Sequence, residues 1–196
     1  MRNIKFQNQK YYHIYNRGVD KRKIFIEKSD YLRFLDSIKE FFKAKPPARG
    51  LALKFVCYCL NSNHYHFLLK QKKNKGIENF MHKLGTGYTM YFNRKYSRSG
   101  SLFEGTYKAV EVQDNSGLLW LSGYINGNSE IHQIAKAEDY QWSSYAYYLN
   151  KRKKDICNKE DVLDHFSSVD EYRDFVNIVI SETIAKKEEI KNYVLD

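Results

Sequence analysis

The chain has 196 residues, enough for one sizeable core or for one domain with an extension. Its 33 Lys and Arg outnumber 23 Asp and Glu, a formal charge of +10 that favours polyanionic partners. No run approaches the ~20 apolar residues of a membrane-spanning helix, and three cysteines, an odd count, argue against a disulfide framework and fit a reducing cytoplasm. The first residues, from Met1 to Asn8, lack an apolar run and a small-residue cleavage site, so a secretory signal is not expected.

Charge alone does not separate nucleic-acid binding from a Lys-rich surface that merely aids solubility. The 17 Tyr and 12 Phe interleaved with basic residues favour the former, because ring faces suit the exposed bases of a single strand. Many of those rings must nevertheless be core.

Tyr11-Tyr12-His13-Ile14-Tyr15-Asn16 is aromatic and β-prone, and Arg17-Gly18 closes it as a first strand. Ser29-Asp30 is expected to cap an amphipathic helix running through Tyr31, Leu32, Phe34, Leu35, Ile38, Phe41 and Phe42, with Pro46-Pro47 ending it. Residues 51–60 read as a buried strand, Asn61-Ser62-Asn63 as a turn and residues 64–70 as the returning strand. A second helix is expected from Ile77 to Tyr96, interrupted by Gly85 and Gly87. A basic loop, Arg94 to Gly100, leads to a strand from Leu102 to Val112, with Tyr107, Ala109 and Val110 facing the core. Asn115-Ser116 then caps a third helix through Leu118, Leu119, Trp120, Leu121, Tyr124 and Ile125. The order β-α-β-β-α-β-α predicts an α+β, ferredoxin-like sandwich: a central antiparallel sheet with flanking helices. Residues 1–150 are expected to form the main domain and 151–196, opening with Lys151-Arg152-Lys153-Lys154, a charged helical extension.

His64 and His66 stand two apart on a strand, so both side chains leave the same face and can chelate one divalent ion. By itself such a pair is more often a surface or satisfied core pair. Tyr124 and Asn128 are four apart, one turn along a helical face, which would present a nucleophile and a hard oxygen ligand together. Gly123 and Gly127 leave a strip without side chains, fit for close approach by a sugar–phosphate backbone or a second helix. The competing reading is a helix end fraying into a Gly-Asn loop. Cys57 and Cys59 read as buried apolar residues, and His13, His82, His132 and His165, lacking ligand-like spacing, as structural or surface residues.

His64-Tyr65-His66 resembles the His-hydrophobic-His signature of HUH endonucleases. Its flanks, from Cys59 to Asn63 and from Phe67 to Leu69, are similar to those of REP-associated and other insertion-sequence single-tyrosine transposases. Tyr124-Ile125-Asn126-Gly127-Asn128-Ser129 resembles that family's Tyr-Ile-His-x-Asn-Pro segment, and Tyr15 to Gly18, Gly100 to Ala109 and Asp139 to Tyr145 resemble further segments in the same order. Asn126, Ser129 and Thr106 stand where many relatives carry His, Pro and Arg. Several motifs in order, over roughly residues 10–150, are far more specific than any one.

The resemblance implies Tyr124 as nucleophile, with His64, His66 and Asn128 as ligands of a divalent metal, Mg²⁺ or Mn²⁺. It implies cleavage and rejoining of single-stranded DNA at hairpin-forming element ends, in the bacterial cytoplasm, by a monomer or a homodimer whose Tyr124 serves its own or its partner's His pair. Arg17, Lys21, Arg22, Lys23, Arg94, Lys95, Arg98 and Lys108 are the expected phosphate contacts. Two rivals remain at this stage: a non-catalytic nucleic-acid-binding module of the same element order, and a metal-dependent nuclease that uses activated water.

Overall fold

The alternation in Tyr11–Arg17, where Tyr12 and Ile14 are fully buried between half-buried neighbours, builds the inner strand β1 of a computed structural model that describes residues 4–43 and 52–193. Beside it run β2 (Leu53–Asn61), β3 (His64–Gln71) and β4 (Lys108–Glu111), in the antiparallel order β2-β3-β1-β4. That is the order of a ferredoxin-like split βαβ sheet, as the element order predicts. The register sets Tyr15 opposite His66 and Arg17 opposite His64 on one side of β1, and Tyr15 opposite Lys108 on the other.

By contact the chain divides into two units, Met1–Phe55 with Leu60–Val112, and Val56–Cys59 with Gln113–Asp196. In the first, helices α1 (Lys28–Lys43) and α2 (Gly76–Lys95) pack on the sheet face that carries Tyr65 and Phe67. Phe34 lies 5.5 Å from Tyr65 and 6.1 Å from Phe67 between ring centroids, and Phe55 lies 5.0 Å from Phe67. Each such ring contributes on the order of 2–3 kcal/mol by burial. Because side chains alternate across a strand, this core turns His64 and His66 to the opposite face.

Several local expectations are corrected. Helix α1 begins at Lys28, and Asp30, in its first turn, reaches back to accept from the amides of Ile26 and Glu27. This is the returning half of a capping box, not an N-cap. Helix α2 is continuous through Gly85 and Gly87, since Ile77, Phe80, Met81, Leu84, Tyr88 and Phe92 bury one long stripe that outweighs the propensity cost of two glycines, about 1 kcal/mol each. Strand β4 is confined to Lys108–Glu111, because Gly100 and Gly105, both at positive φ, bend the chain around buried Leu102 and Phe103. Val110 is exposed, while Tyr107 and Ala109 are half-buried. The expected stop at Pro46-Pro47 lies outside the described residues.

The second unit is built around α3 (Asn115–Asn126), whose N-cap is Asp114 and not Asn115-Ser116; the Asp114 carboxylate accepts from the Gly117 amide at 2.7 Å. Short helices α4 (Asn128–Ile131), α5 (Tyr145–Tyr148) and α6 (Glu160–Leu163) follow, then the long α7 (Val169–Tyr193). Among the charges of α7, Tyr172, Val176, Val179 and Ile180 form a buried stripe against α3 and α4. Cys57, Cys59 and Cys157 are buried thiols.

Candidate active site and nucleic-acid interface

The histidine face of the sheet is assembled by chain segments that are distant in sequence. The Gly18 amide donates to the Asn63 carbonyl at 2.8 Å, Gly18 bridges to Phe103, and the Glu104 amide donates to the Arg17 carbonyl at 2.9 Å. A Cβ on Gly18 would sit 2.3 Å from the Arg22 carbonyl oxygen, so this junction requires glycine. Buried Asn16 pins the same corner by donating to the Gly105 carbonyl at 3.1 Å.

Two asparagines, Asn61 at the end of β2 and Asn63 in the β2–β3 turn, orient His64. Its Nδ1 lies 2.7 Å from Asn63 Oδ1, and its Nε2 lies 3.0 Å from Asn61 Nδ2. An amide oxygen only accepts and an amide nitrogen only donates, so His64 carries its proton on Nδ1 and its lone pair on Nε2. The His64 and His66 rings are 5.1 Å apart and nearly perpendicular, at 88°. His66 is mostly buried, and its Nδ1 lies 2.8 Å from Nε2 of His13. Burial holds the His13 imidazole down at about 4, so it is neutral near pH 7. When His66 donates from Nδ1 its lone pair lies on Nε2, whereas the Nε2 lone pair of His64 accepts from Asn61, so a cation held by both histidines would take the place of that hydrogen bond. Among the described residues no group of three or more His, Cys, Asp and Glu is arranged to hold a metal. His13 was absent from the sequence-derived site; only the register of β1 on β3 reveals it.

Tyr124 sits near the end of α3, half-buried, its ring stacked on that of Trp120 one turn earlier at 5.4 Å and 10°. Trp120 is itself 44% exposed. The helix ends at Asn126, and Asn128 opens α4 instead of continuing α3. Gly127 between them keeps a right-handed conformation, φ −83° and ψ −3°, and its amide donates to the Gly123 carbonyl at 2.8 Å. The four-residue spacing is therefore kept across a break. Asn128 is completely buried. The glycine strip is filled by a helix: a Cβ on Gly123 would meet Val179 at 3.1 Å, and one on Gly127 would meet Ile180 at 2.5 Å. Asn126, at the position of the relatives' His, is buried too. It donates to the Tyr172 hydroxyl at 2.8 Å and accepts from the Ser144 hydroxyl at 2.7 Å, so this departure serves packing around α7.

The basic residues fall into two groups. Lys21, Lys23, Arg94 and Lys108 are exposed, as are Arg17 and Lys95, but the latter two are hydrogen-bonded within the fold. Arg17 makes paired bonds to Glu104 at 3.1 and 3.0 Å, and Arg22 donates to the Val19 carbonyl at 3.2 Å. Arg98 donates to Asn93 Oδ1 at 2.7 Å, and Lys95 binds Asp30 at 2.7 Å and Glu27 at 2.5 Å. The second group thus ties loops together within the fold.

A sequence-family profile described as "Transposase IS200 like" matches residues 6–128. The chain belongs to the IS200-like transposase family. The match contains His64, His66 and Tyr124 and reaches Asn128. Among solved structures, this transposase-family chain is similar to a REP-associated tyrosine transposase bound to a REP hairpin, with 8% identity and a TM-score of 0.62 over 81% of this chain and 93% of that one. That likeness shows a shared α+β fold. No match was found among curated proteins. No helix among the described residues is long and apolar enough to cross a membrane.

Proposed function

We propose that this chain is a metal-dependent endonuclease and strand transferase for single-stranded DNA, acting through a 5′-phosphotyrosyl intermediate at hairpin-forming ends of a mobile or repeat element. The observation that carries the reading is the span of the family match, which takes in the histidine pair, Tyr124 and Asn128. The solved relative's REP hairpin supports DNA of that shape as the substrate.

In this reading His64 and His66, with Asn128, would hold Mg²⁺ or Mn²⁺. When bound, the metal neutralises charge on the scissile phosphate and fixes its orientation. A tyrosine hydroxyl, with an ordinary pKa near ~10, is a poor nucleophile until its proton is lost. The Tyr124 oxygen then bonds to phosphorus while the bond from phosphorus to the 3′ oxygen breaks, and the departing oxygen takes up a proton as a 3′-hydroxyl. The phosphotyrosyl bond conserves the phosphodiester's energy, so attack by a later 3′-hydroxyl restores the tyrosine and rejoins DNA without ATP. Exposed Lys21, Lys23, Arg94 and Lys108 supply phosphate contacts, and Arg17, Arg22, Lys95 and Arg98 shape the loops that present them. Residues 1–150 carry the chemistry, and α7 braces the helix of Tyr124.

The test is incubation with hairpin-bearing single-stranded DNA, with and without Mg²⁺. A metal-dependent covalent protein–DNA adduct that vanishes in Tyr124→Phe is expected. Cleavage that persists in Tyr124→Phe without an adduct would replace this reading with a water-activating nuclease.

A further inference from the structure

We propose that His13 is a positioning residue for the metal site: by accepting a hydrogen bond from His66 Nδ1, it fixes the His66 tautomer that ligates through Nε2. The inference rests on reading His66 as a ligand. The geometry leaves two arrangements for the single proton shared by His66 Nδ1 and His13 Nε2 across 2.8 Å. If His13 donates, His66 must accept at Nδ1 and carry its own proton on Nε2, and neither nitrogen has a lone pair for a metal. If His66 donates, its lone pair is left on Nε2. Only the second arrangement gives His66 a nitrogen with which to ligate. It also removes His13 as a ligand through Nε2, because that lone pair is already engaged.

The fold holds His13 to this task. Its strand neighbours Tyr12 and Ile14 are fully buried, anchoring the backbone on both sides. Its ring lies 4.8 Å from that of Tyr15, which in turn stacks on His66 at 5.8 Å, so the three rings limit one another's rotation. His13 and His66 rings are themselves stacked at 5.1 Å and 23°. A hydrogen bond from the distal ring nitrogen to an oriented acceptor is what fixes tautomer and direction in metal-binding histidines, and its loss typically weakens metal binding by about 10- to 100-fold.

The test uses the full chain with His13→Gln, which keeps an acceptor oxygen near the former Nε2 position, and His13→Leu, which keeps bulk without an acceptor. Nitrogen chemical shifts of His66 in metal-free protein report the tautomer, and titration with Mn²⁺ followed by electron paramagnetic resonance reports affinity. The parent and His13→Gln should carry the His66 proton on Nδ1 and bind Mn²⁺ similarly. His13→Leu should lose that tautomer preference and bind about 10- to 100-fold more weakly at an unchanged melting temperature. A parent His66 protonated on Nε2, or Mn²⁺ affinity unchanged in His13→Leu, would overturn the proposal, and the first result needs no variant to fold. A parent with the Nδ1 tautomer that binds no Mn²⁺ would instead overturn the metal reading itself, and the role of His13 with it.

Discussion

Replacing Gly127 by alanine tests how tightly the helix of Tyr124 is bound to α7. The new Cβ would lie 2.5 Å from Ile180 Cγ1, 2.9 Å from Ile180 Cδ1 and 3.0 Å from the Gly123 carbonyl oxygen. Carbon atoms pack best at about 3.5–4.0 Å, so the nearest contact is short by roughly 1 Å. Cδ1 can turn aside, but Cγ1 of a β-branched side chain in a helix has one strongly preferred position, and Ile180 is buried on α7. Such overpacking costs about 1–3 kcal/mol. Alanine at a right-handed position returns about 1 kcal/mol of helix propensity, leaving a net loss of up to about 2 kcal/mol. Gly123→Ala is the graded control. Its contacts, 3.1 Å to Val179 and 3.3 Å to Phe175, need a shift of only a few tenths of an ångström, so propensity should nearly offset them. Urea denaturation of Gly127→Ala, Ile180→Ala and the double variant closes a cycle. Ile180→Ala alone should lose about 2–4 kcal/mol, and the double variant should recover about 1–2 kcal/mol relative to additivity, because the clash is gone. A neutral or stabilising Gly127→Ala with an additive double variant would refute the packing argument.

Further outcomes follow from the same geometry. His64→Ala or His66→Ala should abolish cleavage and leave most DNA affinity intact; full nicking by the double variant in the presence of chelator would remove the metal site. If about five phosphates are contacted, affinity for single-stranded DNA should fall about 100-fold between 50 and 200 mM salt, and a flat response would displace nucleic acid from the account. Burial pushes the Asp30 carboxyl up, but hydrogen bonds from Lys95, the Glu27 amide, Tyr96 and the Ile26 amide outweigh it and hold the group below the ordinary carboxylate value. A depressed folded value stabilises fully above the unfolded pKa, ~3.9, and the contribution is lost as pH falls through the folded value. Asp30→Asn should therefore lose about 2–3 kcal/mol at pH 7, discounted because Lys95 is a quarter exposed, and the gap from the parent should close in acid during denaturation at stepped pH.

The elements most legible in the sequence were those with strong periodicity or a turn signal. Helix α1 announces itself through a 3.6-residue pattern and strand β3 as the run returning after the Asn61-Ser62-Asn63 turn, and with β3 comes the shared face of His64 and His66. Where the sequence misled, long-range packing decided. Gly85 and Gly87 read as helix breaks, yet the apolar stripe from Ile77 to Phe92 carries α2 through them. The density of charge in residues 151–196 concealed the stripe of Tyr172, Val176, Val179 and Ile180, and so concealed the occupant of the Gly123–Gly127 strip. His13 lies 53 residues from His66 and meets it through the pairing register of β1 and β3, which no local spacing encodes. Asn126 read only as a departure from the relatives' His; its burial against Tyr172 and Ser144 was invisible without α7.

The central claim is that Tyr124 forms the bond to DNA. Reaction of the parent chain with hairpin-bearing single-stranded DNA and Mg²⁺, followed by protease digestion and peptide mass spectrometry, reads the attached residue directly. A 5′-phosphonucleotide on the peptide containing Tyr124 is the expected result. Tyr88, fully buried with its hydroxyl donating to the Ile24 carbonyl at 2.6 Å, should carry none. An adduct on Tyr91 or Tyr107, or a full adduct level in Tyr124→Phe, would contradict the account.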